Sequence, residues 1–191
     1  VEITPLSIPG AHSIVNIPHR DDRGEFVEWF RADRLQDATG LSFHTVQANL
    51  SVSEKGTVRG IHYADVPPGQ AKYVMCVAGA IRDFVIDIRV GSPTFGQWAH
   101  FDLDATSRNA VVLDVGLGHA FVALEPNTVV TYLVTDVYKP HAEHAINPLD
   151  SDVALEFPLP AAELLLSPKD QAAPSLAQAV QEGRLPVWQG S

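Results

Sequence analysis

The sequence predicts an all-β fold, an antiparallel jelly-roll (cupin-like) barrel with a few short helices, and three observations carry that prediction. Fourteen prolines and thirteen glycines cut the 191 residues into short segments. Those segments are rich in Val, Ile, Phe and Thr, residues that fit a pleated, half-buried surface. Helix-forming stretches are brief and peripheral, so they read as additions to a β scaffold. The length suits one domain over residues 1–191, since domains commonly run to roughly 100–200 residues.

The elements follow in order. Asp21-Asp22-Arg23-Gly24 is a turn signal. From Glu25 to Phe30, Phe26, Glu28 and Phe30 alternate with Val27 and Trp29, which predicts a strand. Arg31 to Thr39 predicts a short helix closed by Gly40, because glycine takes the left-handed terminating conformation without steric cost. Between Thr45 and Ser53 the alternation is strict, with Val46, Ala48, Leu50 and Val52 on one face and Gln47, Asn49, Ser51 and Ser53 on the other. The ordinary reading puts that polar face in water; the alternative makes it the lining of a polar barrel interior.

Tyr73 to Arg89 predicts two strands around Ala78-Gly79, the second alternating Phe84, Ile86 and Ile88 with Val85 and Asp87. A loop over Gly91–Gly96 leads to a strand at Trp98–Leu103. Val111–Leu113, Ala120–Leu124 and Val129–Val134 continue the series, with turns at Gly116-Leu117-Gly118 and Glu125-Pro126-Asn127. Ser175 to Glu182, rich in Ala, Leu and Gln and stopped by Gly183, predicts a closing helix.

Composition limits the function. A net charge of −10 and a pI near 5.1 argue against nucleic acid as a partner, which needs a basic face. No apolar run approaches the ~18 residues of a membrane span, so no membrane partner is expected. The opening Val1-Glu2-Ile3-Thr4-Pro5 is neither basic nor continuously apolar and carries no secretory signal pattern. A single cysteine, Cys76, excludes an intrachain disulfide and fits the cytoplasm; beside Val74, Met75 and Val77 it reads as a buried structural thiol.

Against that acidic background one stretch stands out. Arg59, His62 and Lys72 fall within fourteen residues, on both sides of the Pro67-Pro68-Gly69 turn, in a chain with four lysines. Such a local gathering of cations suits a small anionic ligand. Elsewhere, His119 between a glycine turn and an apolar strand reads first as a core histidine satisfied by hydrogen bonds. Tyr132 and Tyr138 share parity and face the same way if their strand stays regular. Asp170 in Ser167-Pro168-Lys169-Asp170 reads first as an acidic residue favoured at a helix start, with Ser167 as N-cap. Arg23 reads as a solvated turn charge. The position two after His62 is Ala64, so the His-x-His pair of a metal-binding barrel is missing and metal-free chemistry is expected. His, Lys and Tyr together suit proton transfer beside a carbonyl: an imidazole takes a proton near neutral pH, an ammonium stabilises the enolate, and a phenol returns a proton.

The segments Arg59-Gly60-Ile61-His62-Tyr63, Gln70-Ala71-Lys72, Asp87 to Gly96, Gly118-His119-Ala120-Phe121, Tyr132 through Tyr138 and Ser167-Pro168-Lys169-Asp170 occur in an order that resembles the dTDP-4-dehydrorhamnose 3,5-epimerase family. The likeness runs from about Asp21 to about Leu176 and is closest to the branch serving antibiotic deoxysugars. It departs from the usual Pro-x-Gly-Phe-Ala-His-Gly-Phe at Asp114 to Phe121. The resemblance implies a cofactor-free epimerase of a dTDP-4-keto-6-deoxyhexose, acting at C5 and C3 or at one of them. It implies His62 as base, Asp170 as its partner, Tyr132 as acid and Lys72 at the 4-keto oxygen. Arg23, Arg59 and Lys169 match positions at or around the diphosphate, and Tyr138 the aromatic that stacks on thymine. Phe26, Glu28, Gln47, Asn49, His119 and Glu143 match other substrate-site positions. It also implies a homodimer with N-terminal strand exchange, in which Arg23, Phe26 and Glu28 serve the neighbour's site. The rivals are a mono-epimerase or ketoisomerase of the same substrate class, a non-catalytic sugar-nucleotide-binding barrel, and a metal-dependent oxygenase, which Ala64 disfavours.

Overall fold

The computed structural model describes residues 1–190. In chain order the strands are β1 (Glu2–Pro5), β2 (Ala11–Val15), β3 (His19–Asp21), β4 (Gly24–Phe26), β5 (Gln47–Ser53), β6 (Thr57–Ala64), β7 (Lys72–Ala78), β8 (Ala80–Ile86), β9 (Trp98–Asp104), β10 (Ala110–Leu113), β11 (Gly118–Ala123), β12 (Thr128–Val134), β13 (Glu143–Ala145) and β14 (Leu165–Leu166). Three short helices join them, α1 (Ala32–Thr39), α2 (Pro168–Gln171) and α3 (Leu176–Gln181). One sheet has the order β1-β2-β10-β7-β12-β5, and the other β13-β6-β11-β8-β9. Pairing within both is antiparallel, apart from β14, which joins β6 in parallel. This is the jelly-roll architecture that the strand pattern predicts. Among the described residues no helix is long and apolar enough to cross a membrane.

Three apolar layers result. Between the sheets lie Val74, Cys76, Val111, Leu113 and Val130 from the first and Ile81, Val85, Leu103 and Phe121 from the second. Behind the second sheet, Ile61, Tyr63, Phe84, Ile86 and Val122 are covered by the C-terminal segment through Val153, Leu176 and Ala179. Behind the first, Ile14, Tyr73, Met75 and Val112 are covered by Leu35 of α1 and by Trp29, Phe30 and Phe43. Both faces of β10 and β11 are therefore buried, and each large apolar side chain so enclosed contributes about 1.5–3 kcal/mol. Cys76 lies in the inner layer, fully buried, as its neighbours predict.

Two predicted elements differ. The strand expected over Glu25–Phe30 ends at Phe26. Trp29 and Phe30, adjacent in sequence, both pack against Tyr73, with ring centroids 5.9 and 5.1 Å away. A strand sends neighbours to opposite faces, so shared burial on one ring breaks it. The strand carrying Tyr132 stops at Val134, so Tyr132 and Tyr138 do not share a face; Tyr138 is exposed on the following loop. There Asp136 accepts the Val137 N–H at 3.0 Å and pairs with Lys139 at 2.6 Å, bending the chain away from the sheet.

The helices form as their caps predict. Gly40 closes α1 in the left-handed region, its N–H bonded to the Gln36 carbonyl. Ser167 caps α2, accepting from the Asp170 N–H, and Ser175 with Gln178 forms a capping box on α3.

Candidate active site

One irregularity in β6 assembles much of the site. His62 lies opposite His119 and Arg59 opposite Phe121, so two residues of β6, Gly60 and Ile61, face the single residue Ala120. That is a β-bulge, one extra residue inserted in the ladder. Residues three apart normally point to opposite faces of a strand; across the bulge Arg59 and His62 both point between the sheets, while Val58, Ile61 and Tyr63 point to the outer layer. Gly60 is required there. Its φ is +128°, and a Cβ would stand 2.5 Å from the His119 carbonyl oxygen.

The antiparallel registers place the other groups. Asn49, Tyr132 and Val74 lie in one row across β5, β12 and β7, and Gln47, Val134 and Lys72 in the next. Val74, and Val130 on the same face of β12 as Tyr132 and Val134, belong to the inner layer, so Gln47, Asn49, Lys72 and Tyr132 face inward. From the opposing sheet come Arg59 and His62 on β6, His119 on β11, and Glu143 on β13, which pairs with Ala64. One end of the barrel interior is thus polar while the remainder is apolar.

The Thr45–Ser53 strand therefore runs opposite to its ordinary reading. Gln47 and Asn49 are half-buried inside, joined Nε2 to Oδ1 at 2.7 Å, whereas Val46, Leu50 and Val52 are exposed outside. Gln47 also accepts the Tyr138 N–H at 3.0 Å, tying the loop to the barrel edge.

His62 Nε2 lies 2.8 Å from Asp170 Oδ1, with the imidazole 37% and the carboxylate 5% exposed. Asp170 is held at the start of α2 by the Ser167 cap, so its helix-start reading and its pairing with His62 are both realised. Burial pushes the Asp170 carboxyl up, but the hydrogen bond and charge of His62, with Ser167 and the Gly60 N–H, bring it below its ordinary value. His119 is a buried histidine satisfied by a hydrogen bond, at 2.7 Å from Asp83 Oδ2. Lys72 is buried; desolvation lowers its pKa against the opposing pull of Glu143 and Asp83. Burial raises the Tyr132 phenol, and Glu143 adds to that while Arg59 opposes it, so the hydroxyl stays protonated at neutral pH. Arg59 donates to Ser53 Oγ at 3.1 Å and is an exposed residue.

Four sequence candidates do not join this cluster within one chain. Arg23 sits at the tip of the β3–β4 hairpin in an ion pair with Asp21, and Phe26 is exposed on the same hairpin. Glu28 pairs with Arg31 at 3.5 Å beside the outer face of the first sheet. Lys169 is exposed on α2, next in sequence to Asp170. Asp83, the buried partner of His119, is a carboxylate that the sequence reading did not single out. Its parity with Ile81 and Val85 marks a carboxylate at a core position, a signal visible in the sequence. Among the described residues no group of three or more His, Cys, Asp or Glu side chains is placed to hold a metal ion.

The cluster sets an imidazole on one sheet, paired with a carboxylate from α2, against a phenol and an ammonium on the other. A family model described as dTDP-4-dehydrorhamnose 3,5-epimerase matches residues 5–178. The chain belongs to the dTDP-4-dehydrorhamnose 3,5-epimerase family. It is accordingly an isomerase, a carbohydrate epimerase. A dTDP-4-dehydrorhamnose 3,5-epimerase of Mycolicibacterium smegmatis is 49% identical, over 96% of this chain and 90% of its own. Two crystal structures are also similar. NovW, a 4-keto-6-deoxy sugar epimerase from the novobiocin cluster of Streptomyces spheroides, superposes with a TM-score of 0.94 at 47% identity, over 98% of this chain and 93% of that one. ChmJ, a 3′-monoepimerase from Streptomyces bikiniensis in complex with dTDP-quinovose, gives 0.93 at 47% identity, over 97% and 93%. These epimerase relatives share the barrel across nearly its whole length.

Proposed function

We propose that this epimerase acts on a dTDP-4-keto-6-deoxyhexose, inverting C5 and C3 through an enolate. The observation that carries the reading is the placement of His62 and Tyr132 on facing sheets, so that a sugar ring held between them meets a base on one side and an acid on the other. His62 takes the proton from the carbon beside the ketone, and the C–H electron pair moves into the enolate with negative charge on the 4-oxygen. Lys72 stabilises that oxygen. Tyr132 then delivers its O–H proton to the opposite face of the carbon, and solvent exchange restores both groups. Only protons move, so the side chains supply the chemistry without a redox cofactor. Asp170 orients His62 and balances the imidazolium. Arg59, Lys169 and, from a neighbouring protomer, Arg23 serve the diphosphate. Tyr138 stacks on the base, and Gln47, Asn49, His119 and Glu143 line the sugar site.

A second reading, inversion at C3 alone, is favoured by relatives at 46–47% identity that are named 3-epimerases. Incubation with a dTDP-4-keto-6-deoxy sugar in D₂O, followed by NMR, separates the two. Deuterium at both carbons supports double inversion, deuterium at C3 alone the second reading, and none at either defeats both.

The active form on this reading is a homodimer in which the N-terminal segment reaches the partner's site. It is supported by the distance of Arg23, Phe26 and Glu28 from their own barrel interior and by the bare apolar face of β5, where Leu50 is 66% exposed. Leu50→Glu should sediment as a monomer; a dimeric Leu50→Glu protein would remove this face from the assembly. Cys76, buried and with its thiol pushed up to about 11 chiefly by desolvation, suits a reducing cytoplasm.

A further inference from the structure

The Gln70-Ala71-Lys72 segment supplies the reaction with its lysine and leaves Gln70 without a part in it. The registers put Gln70 at the mouth of the barrel. Lys72 lies opposite Val134, and one step beyond β7 the Thr135 N–H donates to the Ala71 carbonyl at 3.2 Å while the Ala71 N–H donates to Thr135 Oγ1 at 2.9 Å. Gln70 therefore falls opposite Asp136 and shares the inward parity of Lys72. A glutamine amide carries two N–H donors. Nε2 of this half-buried residue lies 3.0 Å from the Asp136 carbonyl oxygen and 3.5 Å from Glu143 Oε1, so one amide meets both the loop that leaves β12 and a carboxylate of the opposing sheet.

That loop is gripped from both flanks of β12, which lies between β7 and β5. From the β5 side, Gln47 Oε1 accepts the Tyr138 N–H at 3.0 Å; from the β7 side, Gln70 donates to the Asp136 carbonyl. Val137 alone stands between the two anchored residues. The Asp136 carboxylate adds a third constraint, accepting from the Val137 N–H and pairing with Lys139. Such anchoring has a purpose at Tyr138. The residue is 54% exposed, so core packing does not fix its ring and the backbone on either side of it must. A ring held in place beforehand spares the ligand the cost of ordering it.

We propose that Gln70 is a positioning residue of the epimerase, whose amide holds the Asp136 carbonyl opposite the grip of Gln47 and so keeps Tyr138 ready for the nucleotide base. This role rests on the assignment of Tyr138 to the base. Gln70 acts through the loop and touches no reacting atom.

The test is a double-mutant cycle on the affinity for dTDP, read by calorimetry. dTDP has no sugar, so a change passed on through Glu143 in the sugar site does not enter its Kd. Gln70→Leu should weaken dTDP by about fivefold, the scale of a lost hydrogen bond. Tyr138→Ala should weaken it by about tenfold, the scale of one lost stacking contact. In the Tyr138→Ala background, Gln70→Leu should add less than about twofold, because two residues that act as one are not additive. With a dTDP-4-keto-6-deoxy sugar, KM of Gln70→Leu should rise by more than kcat falls, as expected when binding common to ground and transition state is lost. An unchanged Kd in Gln70→Leu, or the same loss with the Tyr138 ring already removed, overturns the inference. Should Gln70→Leu fail to fold, Gln70→Asn takes its place: the amide is kept but is one methylene short of the Asp136 carbonyl, and wild-type affinity for dTDP in it overturns the role. Tyr138→Ala separates the two assignments. If it binds dTDP as the wild type does, Tyr138 leaves the base and the role of Gln70 falls with it; if it is weakened while Gln70→Leu is not, Gln70 alone falls.

Discussion

Two histidine–aspartate pairs stand in one barrel, and by distance they are almost the same, 2.8 Å for His62–Asp170 and 2.7 Å for His119–Asp83. Their surroundings differ. The His62 imidazole is 37% exposed while that of His119 is 9% exposed. The first pair joins β6 to a short C-terminal helix; the second lies within neighbouring strands of one sheet. Access therefore divides the roles. A base must reach a substrate proton, which an imidazole at an open edge does and a sealed one does not. The sealed pair is suited to holding charge in place.

That contrast is breakable by substitution. The largest effect is expected at the open pair: His62→Asn should lower kcat by ~10²–10⁴ with a smaller loss of stability than at the sealed pair, and Tyr132→Phe should lower kcat similarly from the other face. Near-wild-type turnover in either would remove that residue from the proton path. At the sealed pair the balance reverses. His119→Phe strips the hydrogen-bond partner from a buried carboxylate and should cost about 3 kcal/mol or more of stability, read by denaturant unfolding, with a smaller loss of kcat. Equal stability of the two histidine variants would erase the distinction.

The smallest expected effect concerns acid. Asp170 has a folded-state pKa below its unfolded value, so its contribution to stability is present above the unfolded pKa of ~3.9 and is lost as pH falls through the lower folded one. The wild type should therefore lose more stability than Asp170→Asn between about pH 5 and pH 3. Parallel melting curves across that window would show that the carboxylate gains nothing from His62.

How much of this was legible from the residues alone depends on whether a segment kept its period. The strands β7 to β12 are short apolar and β-branched runs set between turn residues, and they were readable apart from a few residues at their ends, as where the strand read to Arg89 stops at Ile86. In β5 the alternation was plain but its direction was not, because the apolar face points outward and the polar face into the barrel; local pattern has no knowledge of what a third layer covers. The Glu25–Phe30 segment looked regular until its two aromatics were required on one ring. For the site, the resemblance gathered His62, Asp170, Tyr132 and Lys72 from distant segments. Asp83 was overlooked because, beside Arg82, it reads as the polar start of a strand unless its parity with Ile81 and Val85 is followed.

The bulge in β6 carries one further consequence. A strand has a period of two, so the added residue is a phase shift: before it the odd positions face the ligand, and after it the even ones do. The same shift that aims His62 at a sugar aims Ile61 and Tyr63 at the outer core. A deletion that turned the base away would also drive an isoleucine and a tyrosine into a polar cavity and empty their places in the packing. Catalytic aim and foldability thus share a single point of failure, and a lineage that slips by one residue here loses the barrel along with the reaction.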